Sequence, residues 1–413
     1  MTTPRDQVLR TLTEAWLGLR RVAPEGEIVI ERDEVLVAGR PGLLDIVARI
    51  GERRAHIVAG LRGVADEPHF LRTGEEAALG LLDDEDGLAV CTDALRDAQL
   101  AGLLLATTRG VAARPGPVAV LRDDEDVTAL DCGDRGDLLV FPWLRETARP
   151  DVDLMVALEE SGFNHVAAPL VRWTWEGCDL GVVQEPLADR SSGWALALTS
   201  LRDFYASGGS PEVAGADFGA EARALGIMTA RMHVALDGVF GREHEAIINW
   251  VDEAEATIAA SDASLLQAPG VTELVKWLRE SEARLPVIRT HGDFHLGRTA
   301  RTDQGWVVSD CAPGGVLRPQ SGVRRRTPLG DVADLLWSMH RASSVAAAER
   351  DPAGRLGLAA LGQAWEMRNR RVFVTGYLGT AGIGGLVGPD RDLVRRLVSF
   401  LELARSVRDD ASA

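Results

Sequence analysis

Apolar residues recur at helical spacing over residues 5–20 (RDQVLRTLTEAWLGLR), and the period then drops towards two. The runs Glu27–Glu31, Glu34–Ala38, Leu43–Ile50 and Ala55–Ala59 predict an antiparallel sheet, with turns at Arg32-Asp33, Gly39–Gly42 and Gly51–Arg54. Residues 68–106 read as mostly helical, with an acidic break at Asp83–Asp86. After the loop Arg109–Pro117 come three strand-like runs, Val118–Arg122, Val127–Asp131 and Asp137–Val140. A helix over Asp151–Ser161 and strands Leu170–Trp175 and Leu180–Gln184 complete a five-stranded set with one helix. From Gly193 onward the pattern is nearly all helical: 194–206, 217–236, 243–260, 271–284, 329–345, 354–378 and 391–407. A short hairpin falls between the fourth and fifth of these. Ser207–Gly215 reads as a Gly/Ser/Pro loop. The glycine-rich Ala381–Pro389 has no preceding strand and no Lys-Ser/Thr, so it reads as a linker, not a phosphate loop. The expected class is α+β in three parts: 1–110, 111–188 and 189–413.

Composition narrows the function classes. The 413 residues are 46% hydrophobic and 26% charged, ordinary for a soluble globular chain. A net charge of −17 argues against nucleic acid or an anionic membrane as main partner. Cys91, Cys132, Cys178 and Cys311 have no metal-ligand spacing and read as reduced thiols. With no apolar leader and no membrane-length run, the expected location is the cytoplasm. Of 45 basic residues only Lys276 is lysine.

The chemistry concentrates in Arg289–Asp310 (RTHGDFHLGRTARTDQGWVVSD). His291, Asp293 and His295 alternate; a turn at Thr302–Gly305 and a strand at Trp306–Val308 then deliver Asp310. One loop carboxylate to orient an acceptor hydroxyl, followed by another for a metal on nucleotide phosphates, is what phosphoryl transfer needs. A His-Gly-Asp tripeptide alone is an ordinary turn sequence. The same alternating residues suit a metal hydrolase, but no further His/Asp cluster accompanies them. Met232 and His233 read as helix core, and Asp331 reads equally as a helix cap.

This stretch resembles the catalytic segment of actinobacterial maltokinases and glucosamine kinases, which share the aminoglycoside-phosphotransferase fold. His291, Gly292, Asp293, His295, Gly297, Trp306 and Asp310 match that family's spacing. Glu221–Leu236, Arg324–Met339 and Trp365–Tyr377 resemble its flanking helices, in order. The resemblance implies a protein-kinase-like bilobal fold: a cap domain (1–110), a small lobe (111–188) and a helical C-lobe (189–413). It implies ATP and Mg²⁺ as cofactors, Asp293 as catalytic base and Asp310 as metal ligand, with His291, His295 and Asp331 in support. Val182–Leu187 would be the hinge, so Gln184, Glu185 and Leu187 would meet adenine. The implied acceptor is a small neutral or amino sugar, maltose or glucosamine; Trp194, Trp337 and Trp365 are candidates to stack on its ring, with core packing the preferred reading of each. A partner enzyme of sugar or glycogen metabolism is also implied, and Glu402 aligns loosely with an acidic position of the family.

The chain departs from that pattern. Arg298 stands where the family has the carboxamide that binds a second metal, and would face the nucleotide phosphates instead; a guanidinium has no lone pair to give a cation. Cys311-Ala312 replaces the family's aromatic and second carboxylate. Phe141 falls where the phosphate-binding lysine belongs, leaving Arg145 or Arg149 to supply the charge. Two readings follow: an ATP-dependent sugar kinase with a rearranged cation set, and a pseudokinase that binds a sugar, a nucleotide or a partner without efficient transfer.

Overall fold

The computed structural model describes residues 3–23, 25–64, 78–187, 189–207, 217–309, 325–350 and 355–410. The chain forms two compact units: residues 1–149 with 168–188, and residues 150–167 with 189–413. Both are mixtures of helices and antiparallel sheets.

The first unit opens with helix α1 (Pro4–Leu19), whose start is locked by a capping box. The Thr3 hydroxyl accepts from the Asp6 amide at 3.1 Å, and the Thr3 amide donates to the Asp6 carboxylate at 2.9 Å. Strands β1 (Ile28–Val37), β2 (Gly42–Ile50), β3 (Arg53–Gly63), β4 (Ala78–Asp84) and β5 (Gly87–Asp93) form a sheet in the order β1-β2-β3-β5-β4. β1 is one strand where the sequence pattern suggests two: bulges at Ile30/Arg32 and Val35/Val37 shift its register and hide the alternation.

Helix α2 (Ala98–Arg109) follows β5. The region 68–106 is thus a correction. The acidic break is a hairpin turn that pairs Asp84 with Gly87, and only its last part is helix. Residues 65–77 lie outside the described set.

β2 is buried along almost its whole length because both its faces are covered. Leu44, Ile46 and Ala48 pack with α1 residues Leu9, Leu12 and Trp16. Leu43 and Val58 pack with α2 residues Leu100, Leu104 and Leu105. The same cluster takes in Leu130, Leu138, Val140 and Val183 of a second sheet. That sheet is built from β6 (Ala119–Asp123), β7 (Thr128–Asp131), β8 (Asp137–Val140), β10 (Pro169–Trp175) and β11 (Cys178–Gln184), in the order β10-β11-β8-β7-β6. The short β9 (Trp143–Leu144) pairs with β3. α2 therefore packs against both sheets in one core, and the division into two compact units does not fall near residue 110.

The second unit begins with α3 (Pro150–Glu160), which the sequence grouped with the small lobe's strands but which packs among the helices of this unit. It continues with β12 (Ser191–Ser192), α4 (Gly193–Ser207), α5 (Gly219–Phe240), β13 (Glu243–Ala246), α6 (Ile247–Asp262), α7 (Pro269–Arg279) and β14 (Arg284–Val287). After these come β15 (Thr299–Thr302), β16 (Gly305–Val308), α8 (Leu329–Ala348), α9 (Arg355–Leu378), a single turn α10 (Gly384–Val387) and α11 (Arg391–Asp410). α5 and α9 approach closely enough that a Cβ on Gly226 would run into the Phe373 carbonyl. β13 and β14 pair with each other; β13 lies inside the span 243–260 that read as helical, and β14 starts where the helical span 271–284 ends. β14 feeds the Arg289–Asp310 segment, whose hairpin is β15–β16. No described helix is long and apolar enough to cross a membrane.

Candidate active site

The loop between β14 and β15 is held from beneath by Asp331, in the first turn of α8. Its carboxylate accepts the His291 amide at 2.9 Å and the Gly292 amide at 2.8 Å. Gly292 takes φ of 85°, a left-handed value that glycine adopts without strain. Asp331 also meets His233 Nε2 at 3.1 Å, and His233 Nδ1 meets the Tyr377 hydroxyl at 2.9 Å. With Nε2–H donating to the carboxylate, Nδ1 accepts from the tyrosine, so each group in the chain is used once. All three side chains are buried. Burial pushes the Asp331 carboxyl up, but His233, His291 and the Gly292 amide outweigh it and leave it below its ordinary value. Asp331 is therefore more than a helix cap: it fixes the conformation of the loop.

Asp293 projects from this loop into a cationic setting. Its Oδ2 lies 3.3 Å from Arg298 Nη2 and 3.7 Å from His295 Nε2, and its Oδ1 lies 2.9 Å from Arg405 Nη1. Burial pushes this carboxyl up; His295, Arg405 and Arg298 more than cancel that and hold it well below the usual carboxylate range. Oδ1 makes no well-aligned hydrogen bond among the described residues despite the nearby Arg405. His295 Nδ1 accepts from the Gly297 amide at 3.1 Å, which turns an Nε2–H towards Asp293. His291 accepts the Asp293 amide at 3.4 Å and packs against Phe294, so it shapes the loop. Arg298, buried beside Asp293, ends the short turn that leads into β15.

Two residues absent from the sequence reading, Arg405 from α11 and Asp334 from α8, complete the site together with His233, which had read as core. Arg405 Nε lies 3.8 Å from Asp334 Oδ1. Burial drives the Asp334 carboxyl up to about 7; Arg405 and Arg408 oppose this, while Asp331 and Asp293 reinforce it. A signal was available for Asp334: it stands three residues from Asp331 among the apolar residues of the helix's first turns, so both carboxylates share the inward face. Arg405, one arginine among many on an amphipathic helix, carried none.

Beside Asp293 lies an open cavity of about 250 Å³, lined by Trp194, His295, Asp334, Trp337, Arg341 and Arg405 among others. Trp194 and Trp337 are partly exposed there. Trp365 is not: it is buried, with its indole N–H donating to Ser200 at 3.0 Å, and is a core residue. Glu402 pairs with Arg370 at 2.6 Å and lines none of this cavity.

Asp310, the expected magnesium ligand, and Cys311-Ala312 lie outside the described residues. Among the described residues no cluster of three or more His, Cys, Asp or Glu side chains is placed to hold a metal ion. The position of the expected second ligand is filled by the Arg298 guanidinium at Asp293. The described donor set thus fits no second cation.

Gln184, Glu185 and Leu187 belong to the first unit. Gln184 is buried at the end of β11, and the Glu185 amide already donates to the Ala168 carbonyl at 2.8 Å. In the same unit Phe141 is buried under the Arg149 guanidinium, 4.0 Å from the ring centroid. A fixed positive charge therefore lies beside the position aligned with the family's lysine.

No protein-family model matches the chain. A glucosamine kinase of Streptacidiphilus jiangxiensis is 27% identical over 94% of this chain and 90% of its own length. One of Mycolicibacterium smegmatis is 28% identical over 56% of this chain and 59% of its own. The solved structure of a glucosamine kinase with glucosamine, ADP and inorganic phosphate superposes with a TM-score of 0.65 at 21% identity, covering 100% of this chain and 95% of that one. The chain is glucosamine-kinase-like in sequence and in fold.

Proposed function

We propose that this glucosamine-kinase-like protein is an ATP-dependent phosphotransferase acting on a sugar hydroxyl, in a bilobal kinase-type fold. The observation that supports this reading is Asp293: a buried, ionised carboxylate with one oxygen left without an aligned donor, on a loop anchored by Asp331. Such an oxygen is placed to accept a hydrogen bond from the attacking hydroxyl. Phosphoryl transfer runs through a loose transition state, so orienting the hydroxyl counts for more than basicity, and a carboxylate of low proton affinity suffices. Arg298 and Arg405 hold Asp293 in place and set positive charge where the transferring phosphoryl oxygens would gather negative charge. In the first unit, the Glu185 carbonyl and Leu187 amide would read adenine, with Arg149 supplying the charge that lysine supplies in relatives.

A second reading has its own observation. Two guanidiniums and a histidine on one carboxylate also describe a site locked shut, as a pseudokinase would be. Calorimetric titration of ATP, with and without magnesium, is the first test. Binding is expected, and its failure in both conditions would remove the kinase reading.

A further inference from the structure

We propose that Tyr377 is a positioning residue for Asp293, acting on the loop through His233 and Asp331. The proposal rests on the kinase reading only for its effect on rate; the relay itself stands on its hydrogen bonds. Its members come from three helices: Tyr377 near the end of α9, His233 on α5, and Asp331 in the first turn of α8. The Tyr377 hydroxyl lies 2.9 Å from His233 Nδ1, and His233 Nε2 lies 3.1 Å from Asp331 Oδ2. The same carboxylate takes the His291 and Gly292 amides, and Asp293 is the next residue. None of the three side chains is more than 1% exposed, so water does not compete for these bonds.

The direction of each bond in the relay is fixed. Burial pushes the Asp331 carboxyl up, but its partners hold it below its ordinary value, so it is ionised and can only accept. His233 Nε2 must therefore carry a hydrogen. Burial, with the Asp331 charge adding to it, pushes the Tyr377 hydroxyl well above its ordinary value, so it keeps its proton and donates to Nδ1. Without that donor Nδ1 is a buried acceptor left unmet. The ring relieves this only by turning away from Asp331 or by taking a second proton. Either change alters what Asp331 can give the loop amides. The helix backbones fix the reach of the tyrosine. A Cβ on Gly226 would stand 3.0 Å from the Tyr377 amide, and one on Gly376 would run into the Arg223 carbonyl. Held there, the Tyr377 ring meets His233 edge-on at 5.7 Å and stacks on Phe373 at 6.3 Å.

The test follows the His233 ring nitrogens by NMR in the full chain carrying nitrogen-15 histidine. Amide exchange of the loop and ADP release with glucosamine and glucose are measured alongside. In the parent, His233 is expected as a single Nε2–H tautomer. In Tyr377→Phe it is expected to leave that state, with the His291 and Gly292 amides exchanging about tenfold faster or more. There kcat is expected to fall about ten- to a hundredfold, with KM within about twofold of the parent. Tyr205→Phe is the control: it removes another buried tyrosine hydroxyl, bonded to the Ser343 carbonyl, and is expected to leave the His233 tautomer and kcat in place. A ring spectrum and loop exchange that Tyr377→Phe does not move would overturn the proposal, as would an unchanged kcat on a loosened loop. If Tyr377→Phe does not fold, meta-fluorotyrosine in place of both tyrosines keeps the test. Its more acidic hydroxyl is a stronger donor, so the His233 Nδ1 resonance is expected to shift, and an unshifted resonance would break the relay. No ADP release from the parent removes the kinase reading; the ring and exchange results then judge the relay alone.

Discussion

Arg405 Nη1 stands 2.9 Å from Asp293 Oδ1, so the last described helix reaches the loop that carries the expected base. His295, Arg405 and Arg298 together keep that carboxylate ionised against the pull of burial. Arg405→Gln removes one of the two permanent charges. The acid limb of the kcat/KM profile is then expected to move to higher pH, because the Asp293 carboxyl regains part of its burial-driven rise. An acid limb left in place by the substitution would show that Arg405 does not set the ionisation of Asp293.

Asp331 satisfies two loop amides and His233 from a fully enclosed position. Asp331→Ala leaves at least two buried donors without an acceptor, at about 1–3 kcal/mol each. A loss of roughly 2–6 kcal/mol is expected in denaturant unfolding, summing that cost over two donors. Asp331→Asn, which keeps one carbonyl oxygen, is expected to lose less. A variant within about 0.5 kcal/mol of the parent, the range of a neutral surface change, would mean the loop is fixed by other contacts.

Asp334 gives a prediction of opposite sign from an ordinary paired carboxylate. Its folded-state value of about 7 lies above the ordinary 3.8, so folding favours the protonated form. That contribution is complete below about 3.8 and is lost as pH rises through about 7. Asp334→Asn cannot ionise, so its melting temperature relative to the parent is expected to climb between mildly acidic and mildly alkaline pH. A difference that is flat across that interval would place the titration elsewhere.

These contrasts show what was legible in the sequence. Asp293, His295 and Arg298 fall within six consecutive residues, so their meeting was implied by the motif. Core packing was the preferred reading of Trp194, Trp337 and Trp365; it holds for Trp365, while Trp194 and Trp337 line the cavity. Arg405, Asp334 and His233 reach the site by tertiary packing of three helices, and local periodicity marks each only as an inward or amphipathic position. In the fold, the strands β2, β7 and β8 were readable. The β4–β5 hairpin was missed although Asp86-Gly87 is turn chemistry, because the acidic run Asp83–Asp86 read as a break between helical stretches, and bulged β1 read as two strands.

Arg298 is the departure with the sharpest consequence for metal use. A carboxamide can ligate a divalent cation and a guanidinium cannot. Arg298→Gln is expected to make ATP affinity depend on magnesium over a higher concentration range than in the parent, measured by calorimetry at several magnesium levels. Identical magnesium dependence in both proteins would remove Arg298 from the account of cation use.

The central claim is that Asp293 orients a sugar hydroxyl for attack on ATP. The direct measurement is single-turnover transfer from labelled ATP to the sugar that binds best, in the parent and in Asp293→Asn, with nucleotide affinity measured alongside. The parent is expected to form a phosphorylated sugar. Asp293→Asn is expected to slow transfer by about 10²–10⁴ while nucleotide affinity stays nearly unchanged. Transfer at the parental rate in Asp293→Asn, or ATP bound by the parent with no phosphorylated sugar formed, would contradict the claim.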